Sequence, residues 1–559
     1  MLKLSSINRM ATLTRFYSLK SKKIILDASN LEFTKRNEII LKNLHKYYPS
    51  ISRLDNDNSV DAYQKISIKK FNETYSNLDN DNSEVKLSIY GRIKKIRFSG
   101  KKICFIDLIN NYNKQLQLIV NYNNIQNINN EQEFYEVLHF LKNGDYIQSF
   151  GFPGLSQSKF KTLSLKCNRL PIIISPAQLP LPPKLNDHNK IKNNRVIDYQ
   201  VNGISTIILR SFINKQIRKF LDERDFVEVE TPILSRQSNG AIAKPFVTKL
   251  SSSIENGKEK LLQLRIAPEL WLKRLVVGGI DRVYEIGKVF RNEGIDQTHN
   301  PEFTTLEFYQ SYASMEDLIK QAEQLFKYII TSLHESEIVK ESVRCKEIVD
   351  SLYNTLSEND WRFNRIDFLP TLTKEFNNEI NFNEIDLNDP TAILDCLPEH
   401  VKAELFQGVS QNKLSPQQIL NKLCSHFIEK KYCNNLLPTL ICNHPTVMSP
   451  LSKTDAMKGN VSKRFELFIN GTEFINAYEE ENCPQLQEQK FLQQKNSSDC
   501  YGDEEALPID NNYIESMKWG MPPIGGLGLG IDRLCMLLLH KTRIEEVLSF
   551  GTLSDVNRQ

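Results

Sequence analysis

One segment places a carboxylate and a phenol where they could share a binding site. Residues 302–309 read Glu-Phe-Thr-Thr-Leu-Glu-Phe-Tyr, and side chains alternate between the two faces of a strand. The sequence therefore predicts that Phe303, Glu307 and Tyr309 project from one face, whereas Leu306 lies on the other.

A second acidic segment surrounds Asn470-Gly471, which is a strong signal for a two-residue hairpin turn. The implied opposing pairs are Phe468 with Glu473 and Glu466 with Ile475. Glu466 and Glu473 would then lie diagonally on one face, where they repel each other unless a cation lies between them; carboxylate oxygens suit Mg²⁺. An exposed acidic hairpin is the alternative. Asn476 and Glu480 have the opposite parity, so they reach the same face only if a bulge or strand end intervenes.

Glycines alternate along a third segment, residues 525–530, which runs into Ile531-Asp532-Arg533 and an apolar helical stretch. Alternate glycines allow a flat group to lie against the backbone, and an arginine near the start of a helix can bind a polyphosphate. By itself the pattern is weak, because glycines in a strand also occur where backbones pack closely.

Length and composition indicate a large folded protein of several domains. The chain has 559 residues, of which 40% are hydrophobic and 25% charged, close to ordinary globular values. No apolar run approaches the roughly 18 residues of a membrane span, so no membrane partner is expected. The ten cysteines form no CxxC pair, and Cys424/His426 and Cys442/His444 lack zinc-ligand spacing. We therefore expect incidental thiols in a reducing compartment.

The N-terminal segment is basic and free of acids. The first 26 residues contain six basic residues and no Asp or Glu, which is typical of a mitochondrial transit peptide; a basic, disordered arm that touches RNA is the alternative. Residues 15–18, Arg-Phe-Tyr-Ser, resemble a matrix-peptidase site. We therefore expect residues 1–17 to be a transit peptide, with the mature protein in the mitochondrial matrix.

A helical extension and a linker flank the next domain. Residues 18–80 are predicted to be helical, with one amphipathic helix from Ile40 up to about Tyr48-Pro49. A Pro-rich stretch further on predicts a stiff linker, placed at residues 176–194, and residues 195–559 follow it as one large domain.

Residues 81–175 are predicted to form a small β-barrel, because short apolar strands alternate with Gly and Asn turns. Seven basic residues and one acid lie between Val85 and Asn110, where they could attract RNA phosphates, and Phe105 could stack an unpaired base. The alternative places Phe105 in the core and the lysines on a solvated face.

Taken in order, these segments resemble the motifs of class II aminoacyl-tRNA synthetases, with motif 1 at residues 226–232. The chain beyond about Glu32 resembles the lysyl-tRNA synthetases in particular. The phrases that carry the resemblance are residues 264–270 with 276–279, 290–294 with 299–304, 464–466, and 528–533. The fold implied is α+β, an N-terminal OB-fold β-barrel followed by a class II catalytic domain with an antiparallel sheet flanked by helices. Such proteins usually form a homodimer through motif 1.

The resemblance implies formation of lysyl-tRNA(Lys) from ATP, L-lysine and tRNA(Lys) through a lysyl-adenylate. Arg291 and Arg533 would hold the phosphates as catalytic residues, and Glu466 and Glu473 would hold Mg²⁺. The implied ATP-binding residues are Arg291, Asn292, Glu293, His299, Asn300, Phe303 as the adenine stack, Glu473, Phe474, Gly530, Ile531, Asp532 and Arg533. Because the lysine carboxylate is ionised near pH 7, it needs charge neutralisation and positioning rather than a general base.

The resemblance also assigns the residues that choose the substrates. Burying an ammonium without a partner costs several kcal/mol, so a lysine pocket must supply anions. The implied lysine-binding residues are Gly240, Glu269 at the α-amino group, Glu307 and Glu480 at the ε-ammonium, Tyr309 as their hydrogen-bond partner, and Asn476. A surface salt bridge is the alternative for Glu307. The implied anticodon-binding residues are Arg97, Phe105 and Gln117.

The sequence departs from the family pattern at a few places. Asn239-Gly240 stands where the family usually has two glycines, which puts the local turn in doubt, and Cys483 stands where it often has aspartate. The segment from about 332 to 434 matches loosely and is expected to provide only peripheral packing.

An aspartyl- or asparaginyl-tRNA synthetase is the alternative enzyme. A noncatalytic tRNA-binding paralogue is the alternative of another class, although a pure binder has no need of the complete ATP site.

Overall fold

The chain forms two compact units, Met1–Ser205 and Thr206–Gln559, here called the N-terminal unit and the C-terminal unit. The computed structural model describes residues 28–51, 54, 63–110, 114–126, 128–237, 240–241, 243–255, 258–340, 342–407, 414–502 and 509–556. The predicted transit peptide, residues 1–17, lies outside the described residues. No helix in the described part of the chain is long and apolar enough to cross a membrane.

The N-terminal unit is built around a small barrel. Its strands are β1 (Gln64–Lys65), β2 (Leu87–Ser99), β3 (Ile103–Ile109), β4 (Gln115–Asn121), β5 (Tyr146–Leu155), β6 (Leu163–Cys167) and β7 (Ile172–Ser175). They follow the order β1-β2-β3-β4-β6-β5-β7, and an additional antiparallel pairing of β2 with β5 closes five strands into a ring. The predicted OB-like barrel is thereby confirmed.

Helices of the N-terminal unit lie before, between and after these strands. They are α1 (Ala28–Lys42), α2 (Leu44–Tyr47), α3 (Ile68–Thr74), α4 (Glu131–Phe140), α5 (His188–Asn193) and α6 (Arg195–Val201). Phe134 and Leu138 of α4 pack into the same core as Leu87 and Ile106 of the barrel. The amphipathic α4 therefore covers apolar surface of the barrel that the strands alone would leave exposed to water.

The prediction of one continuous helix from Ile40 to Tyr48 is wrong. The helix stops at Lys42 and restarts at Leu44, because Asn43 has non-helical backbone angles, φ −133° and ψ 44°. The side-chain amide of Asn43 donates a hydrogen bond to the carbonyl of Ile39 at 3.1 Å. An asparagine that bonds the backbone in this way competes with helix continuation.

The C-terminal unit contains two sheets. Their strands are β8 (Val227–Glu228), β9 (Leu234–Ser235), β10 (Val247–Glu255), β11 (Lys258–Leu264), β12 (Arg282–Phe290), β13 (Glu302–Ser311), β14 (Asn364–Asp367), β15 (Thr439–Cys442), β16 (Arg464–Ile469), β17 (Thr472–Glu479) and β18 (Ile524–Gly530). The larger sheet has eight strands in the order β14-β15-β16-β17-β18-β13-β12-β8, and the smaller has three in the order β10-β11-β9. Strands β15 to β12 pair antiparallel, and only the edge strands β14 and β8 pair parallel. The edge position of β8 suits a segment that soon reaches Pro232, because proline cannot donate a hydrogen bond to a ladder.

Helices flank this sheet, so the predicted α+β class is confirmed. They are α7 (Ser205–Asp222), α8 (Glu269–Val277), α9 (Met315–His334), α10 (Glu337–Lys340), α11 (Val343–Glu358), α12 (Phe368–Glu375), α13 (Pro390–Asp395), α14 (Glu399–Phe406), α15 (Pro416–Leu423), α16 (Lys430–Tyr432), α17 (Pro484–Tyr501), α18 (Asn511–Met517), α19 (Ile531–Leu538) and α20 (Leu553–Val556). Phe220 of α7 and Phe326 of α9 are buried in one core with Leu306 and Phe308 of β13. One face of the sheet is therefore apolar and covered.

The loosely matching segment 332–434 has a second core of its own. Phe368, Ile393, Leu420 and Ile428 form a buried cluster that Phe468 of β16 joins. The segment is thus packed against the central sheet and continues the same fold.

Candidate active site

The face of the central sheet that the apolar core leaves free borders a cavity of about 510 Å³. Strands β13, β16, β17 and β18 contribute side chains to it, together with the start of α8. The sequence-predicted residues that line it are Gly240, Glu269, Arg291, Glu293, His299, Asn300, Phe303, Glu307, Tyr309, Glu466, Glu473, Phe474, Asn476, Glu480, Gly530, Asp532 and Arg533. Two predicted ATP-binding residues lie elsewhere: the side chain of Ile531 is in the core, and Asn292 is exposed beside the cavity.

Strand β13 has the face alternation that the sequence predicts. Phe303, Glu307 and Tyr309 line the cavity, whereas Leu306 and Phe308 lie in the core. The Tyr309 hydroxyl donates to Glu307 Oε2 at 3.1 Å. Burial, and then the negative charge of Glu269, raise the pKa of Glu307 to about 8. An ammonium placed beside this carboxyl would favour its ionised form.

The hairpin of β16 and β17 differs from the predicted register by one residue. Phe468 pairs with Glu473 as predicted, but Glu466 pairs with Asn476, so the predicted pairing with Ile475 is wrong. The cause is a β-bulge in which Phe474 is the extra residue. The bulge changes the parity of the strand, and for this reason Asn476, Tyr478 and Glu480 line the same cavity as Glu473.

Two further carboxylates meet a buried lysine at one end of the cavity. Lys273 Nζ lies 2.5 Å from Glu269 Oε1 and also contacts Glu480, and the Tyr478 hydroxyl donates to Glu269 Oε1 at 2.7 Å. Burial alone would lower the pKa of Lys273, but the charges of Glu269 and Glu480 outweigh it and raise that pKa. This end of the cavity is therefore acidic, and we call it the acidic pocket, made of Glu269, Glu307 and Glu480.

A different pair of carboxylates, Glu466 and Glu473, lies farther along the cavity. Burial alone would raise the pKa of Glu466, but Arg464 and His444 outweigh it and lower that pKa to about 2; His444 Nε2 lies 3.2 Å from Glu466 Oε2. Burial and then the charge of Glu466 raise the pKa of Glu473. Their mutual repulsion is the electrostatic condition that a divalent cation between them would relieve.

Cationic side chains line the cavity near these acids. Arg533 Nη1 donates to the backbone carbonyl of Glu473 at 2.9 Å, and Arg533 Nη2 lies 3.0 Å from His299 Nε2. Because the guanidinium can only donate, His299 accepts through Nε2, and its Nδ1 proton faces Asp296 at 2.9 Å. The guanidinium of Arg291 lies 5.1 Å from the ring centroid of Phe303. Two arginines and a neutral histidine thus surround a space suited to phosphates.

Two predicted ATP-binding residues are held by the protein itself. Asn300 donates to the carbonyl of Glu302 at 2.6 Å and accepts from the amide of Leu553 at 3.1 Å. Asp532 accepts from the amide of Thr304 at 2.7 Å and lies 2.5 Å from Arg210. In this structure both side chains fix the segments that carry Phe303 and Arg533.

The glycines of β18 are explained by two different structural requirements. A Cβ at Gly526 would collide with the Tyr309 ring and with Glu480, and a Cβ at Gly525 would lie 2.8 Å from the Ala313 carbonyl, so close packing explains these two. Gly528 and Gly530 have no such neighbour within 3.6 Å. Only these two leave backbone open to a flat group. Gly240 has φ +99° and would place a Cβ 3.0 Å from that of Glu269, whereas Asn239 lies outside the described residues.

Sequence reasoning missed residues that line the cavity or lie directly behind it. The sequence contains a signal for Lys273, because Glu269 and Lys273 are four residues apart on a helix whose other residues, except Arg274, are apolar. Gln417 and Asn421 of α15 also line the cavity, although the segment that carries them was expected to provide only peripheral packing. That expectation is wrong for α15, and no local pattern predicts such a long-range contact.

The predicted anticodon residues share one face of the barrel. Arg97 pairs with Phe105, and Gln117 pairs with Asp107, two residues farther along β3. Phe105 is half-buried and lies outside the barrel core, whereas its neighbours Cys104 and Ile106 are in it. The Arg97 guanidinium lies 5.9 Å from the Phe105 ring centroid. The core alternative for Phe105 is therefore wrong.

Comparison with known proteins places this fold and cavity in a family. The family profile described as tRNA synthetases class II (D, K and N) matches residues 187–554. The chain belongs to this family of class II tRNA synthetases. A mitochondrial lysine--tRNA ligase of Saccharomyces cerevisiae is 52% identical over 549 residues, which cover 96% of this synthetase and 94% of that protein. A mitochondrial lysine--tRNA ligase of Schizosaccharomyces pombe is 38% identical over 84% of each chain, and a lysine--tRNA ligase of Malacoplasma penetrans is 35% identical over 89% of this synthetase and 95% of its own length.

Proposed function

We propose that this synthetase is a lysine--tRNA ligase that charges tRNA(Lys) for mitochondrial translation through a lysyl-adenylate. The observation that carries the proposal is the acidic pocket, where Glu269, Glu307 and Glu480 converge at one end of the cavity. Charged carboxylates in a buried pocket favour a ligand with ammonium groups. The sequence similarity to mitochondrial lysine--tRNA ligases agrees with this chemistry.

Amino-acid-dependent pyrophosphate exchange tests this proposal on a chain that begins at Ser18. We expect exchange with lysine and none above background with aspartate or asparagine. Exchange that is fastest with aspartate or asparagine would overturn the substrate assignment, and no exchange with any amino acid would favour a noncatalytic tRNA-binding protein.

The aspartate and asparagine alternatives fit the pocket poorly. An aspartate side chain would bring a further negative charge among three carboxylates, and the ammonium of Lys273 is already in contact with Glu269 and Glu480. The asparagine amide would leave these carboxylates without a counter-charge.

The phosphates of ATP would lie beside Arg291 and Arg533, with the adenine against Phe303. The lysine carboxylate attacks the α-phosphorus and pyrophosphate leaves, so the two guanidinium groups stabilise charge that develops on the phosphate oxygens. The terminal ribose hydroxyl of tRNA then attacks the adenylate's carbonyl and loses its proton, and the bond to the phosphate oxygen breaks so that AMP leaves. The protein contributes position and fixed charge to both steps.

The pair Glu466 and Glu473 fits a magnesium ion that is shared with ATP. Mg²⁺ is usually held by one or two carboxylates plus substrate phosphates, and no group of three or more His, Cys, Asp or Glu side chains in the described residues could hold a metal alone. The ion, when bound, would neutralise phosphate oxygens during attack. The raised pKa of Glu473 supports this assignment, because burial and the charge of Glu466 outweigh the Arg533 guanidinium that lies 3.5 Å from its carboxylate.

Glu473→Gln should raise the Mg²⁺ concentration for half-maximal pyrophosphate exchange by about tenfold or more, since one anionic ligand is lost. Glu479→Gln is the matched control, because Glu479 is on the same strand but bonds Lys463 at 3.1 Å. A magnesium titration at saturating ATP and lysine measures both variants. Equal increases in the required Mg²⁺ concentration in both variants would contradict the role of Glu473 as a magnesium ligand.

Lysine binding should tighten as pH rises towards 8. The pKa of Glu307 is about 8 in the free protein, and an ammonium binds its ionised form, so binding must first release a proton. The KM for lysine should therefore fall by up to about tenfold per pH unit from pH 6 to 8 and then level off. Pyrophosphate exchange across this range measures it, and a KM that stays flat in the wild-type protein would contradict the role of Glu307.

The remaining parts of the proposal concern partners and place. Arg97, Phe105 and Gln117 would read the anticodon, and their shared face on a basic barrel supports this role.

Exposed apolar residues near the edge strand, Val227 and Leu234, support a homodimer formed through this segment. We further propose the matrix as the compartment, residues 1–17 as its transit peptide, and the domain limits 18–80, 81–175, 176–194 and 195–559.

A further inference from the structure

A lysine without solvent contact lies directly behind the acidic pocket. The exposure of Lys273 is 0%. Its ammonium bridges Glu269, 2.5 Å away, and Glu480. It also lies 5.8 Å and 5.5 Å from the ring centroids of Tyr309 and Tyr478. The ammonium is thus enclosed by groups that themselves line the cavity.

Packing alone does not explain a charged residue at this position. The other buried side chains of α8 that face inward include Leu272 and Val276, and an apolar side chain of similar size avoids the desolvation cost of an ammonium. A buried ion pair is therefore weak evidence for a stabilising role. Its contacts with two pocket carboxylates indicate a role in the site.

The charges of the acidic pocket match free lysine once Lys273 is counted. Counted formally, three carboxylates and one internal ammonium leave two negative charges, although burial raises the pKa of Glu307 to about 8 and also raises the pKa of Glu480 before lysine binds. Free lysine carries two ammonium groups, and its carboxylate can face Arg291 on the phosphate side of the cavity. Without Lys273, three carboxylates would repel each other, and protonation of one would remove the partner of a substrate ammonium.

We propose that Lys273 is a positioning residue for amino-acid selection, whose ammonium holds the side chains of Glu269 and Glu480 in place for the two ammonium groups of lysine. The inference rests on the proposed lysine activation. Its consequence is that Lys273 governs recognition of the amino acid and has no part in ATP binding. The charged and titratable groups that face it are Glu269 on α8, Tyr478 and Glu480 on or just after β17, Glu307 and Tyr309 on β13, and Tyr513 on α18.

The test replaces Lys273 by methionine and measures pyrophosphate exchange between pH 6 and 9. We expect the KM for lysine to rise by about tenfold or more, with the KM for ATP within about twofold. The pH at which the lysine KM levels off should move upward, because removal of a nearby positive charge raises the pKa of the pocket carboxyls. Lys273→Arg should keep the wild-type pH profile, since it keeps the charge.

Lys219→Met is the matched control. Lys219 also forms a helical pair with a glutamate four residues away, Glu223 at 3.8 Å, but both are exposed on α7. This variant should leave both KM values and the pH profile unchanged. A change there similar to that of Lys273→Met would mean that the assay reports helix stability, and the proposal would fall.

The outcomes separate this inference from the proposed function. Wild-type protein without lysine-dependent exchange would refute the proposed function, whereas active wild type with an unchanged lysine KM in Lys273→Met would refute only the role of Lys273. Equal increases in the KM for lysine and ATP would also refute it. If Lys273→Met is insoluble, Lys273→Gln replaces it, because the amide can still donate to both carboxylates but carries no charge. The KM for lysine, the KM for ATP and the pH profile of this variant then decide in the same way.

Discussion

Glu307→Gln is expected to lower kcat/KM for lysine in pyrophosphate exchange by at least about 100-fold, while the KM for ATP changes by less than about twofold. The amide can still accept the hydrogen bond of Tyr309, but it cannot neutralise an ammonium. Loss of one partner from a buried ion pair costs about 3–5 kcal/mol, which corresponds to roughly 100-fold or more. Because the residue also has a pKa near 8, the variant should lose the pH dependence of the lysine KM.

Glu302→Gln is the control for this experiment. Glu302 begins the same strand, but its carboxylate lies at the surface 3.5 Å from Lys288 Nζ, and a surface ion pair of this kind contributes little. This variant should be close to wild type. If Glu307→Gln weakened the binding of ATP and of lysine equally, the effect would come from a change in the structure of the sheet and not from contact with lysine.

Arg533→Gln is expected to reduce kcat of pyrophosphate exchange by about 10²–10³-fold, with a smaller effect on the KM for lysine. Removing one fixed donor from developing phosphate charge costs an enzyme about this much. Its guanidinium also holds the Glu473 carbonyl at 2.9 Å, so the KM for Mg-ATP should rise as well. Initial rates at saturating lysine measure the effect.

The control for Arg533 is Arg362→Gln, which removes a guanidinium that pairs with Glu323 at 2.7 Å outside the cavity. It should leave kcat unchanged, and thermal unfolding should show that Arg533→Gln is folded. A folded Arg533→Gln enzyme with wild-type kcat would remove Arg533 from the phosphate site.

Local patterns in the sequence predict the strands that carry the site well. The period of two in β13 correctly assigns Glu307 and Tyr309 to the free face and Leu306 to the core. This works because one face of the strand is covered by helices and a slip by one residue would bury the carboxylate among them. The OB-like barrel follows from the same kind of pattern, whereas the local sequence leaves the outward position of Phe105 open.

Features that depend on distant contacts could not be predicted in this way. The bulge at Phe474 is visible only in the pairing with β16, and its effect is to bring Asn476 to the cavity. The contribution of α15 through Asn421 comes from a segment far away in the sequence. The break at Asn43 could not be predicted from periodicity either, because the apolar spacing continues past it. A single hydrogen bond from the Asn43 side chain accompanies the end of the helix there.

The most direct test is a crystal structure of the protein with L-lysine bound. The account predicts that the ε-nitrogen lies within about 3 Å of carboxylate oxygens of both Glu307 and Glu480, with the α-amino group at Glu269 and the carboxylate directed towards Arg291. A bound lysine whose ε-nitrogen points into water, with Glu307 and Glu480 out of reach, would contradict it.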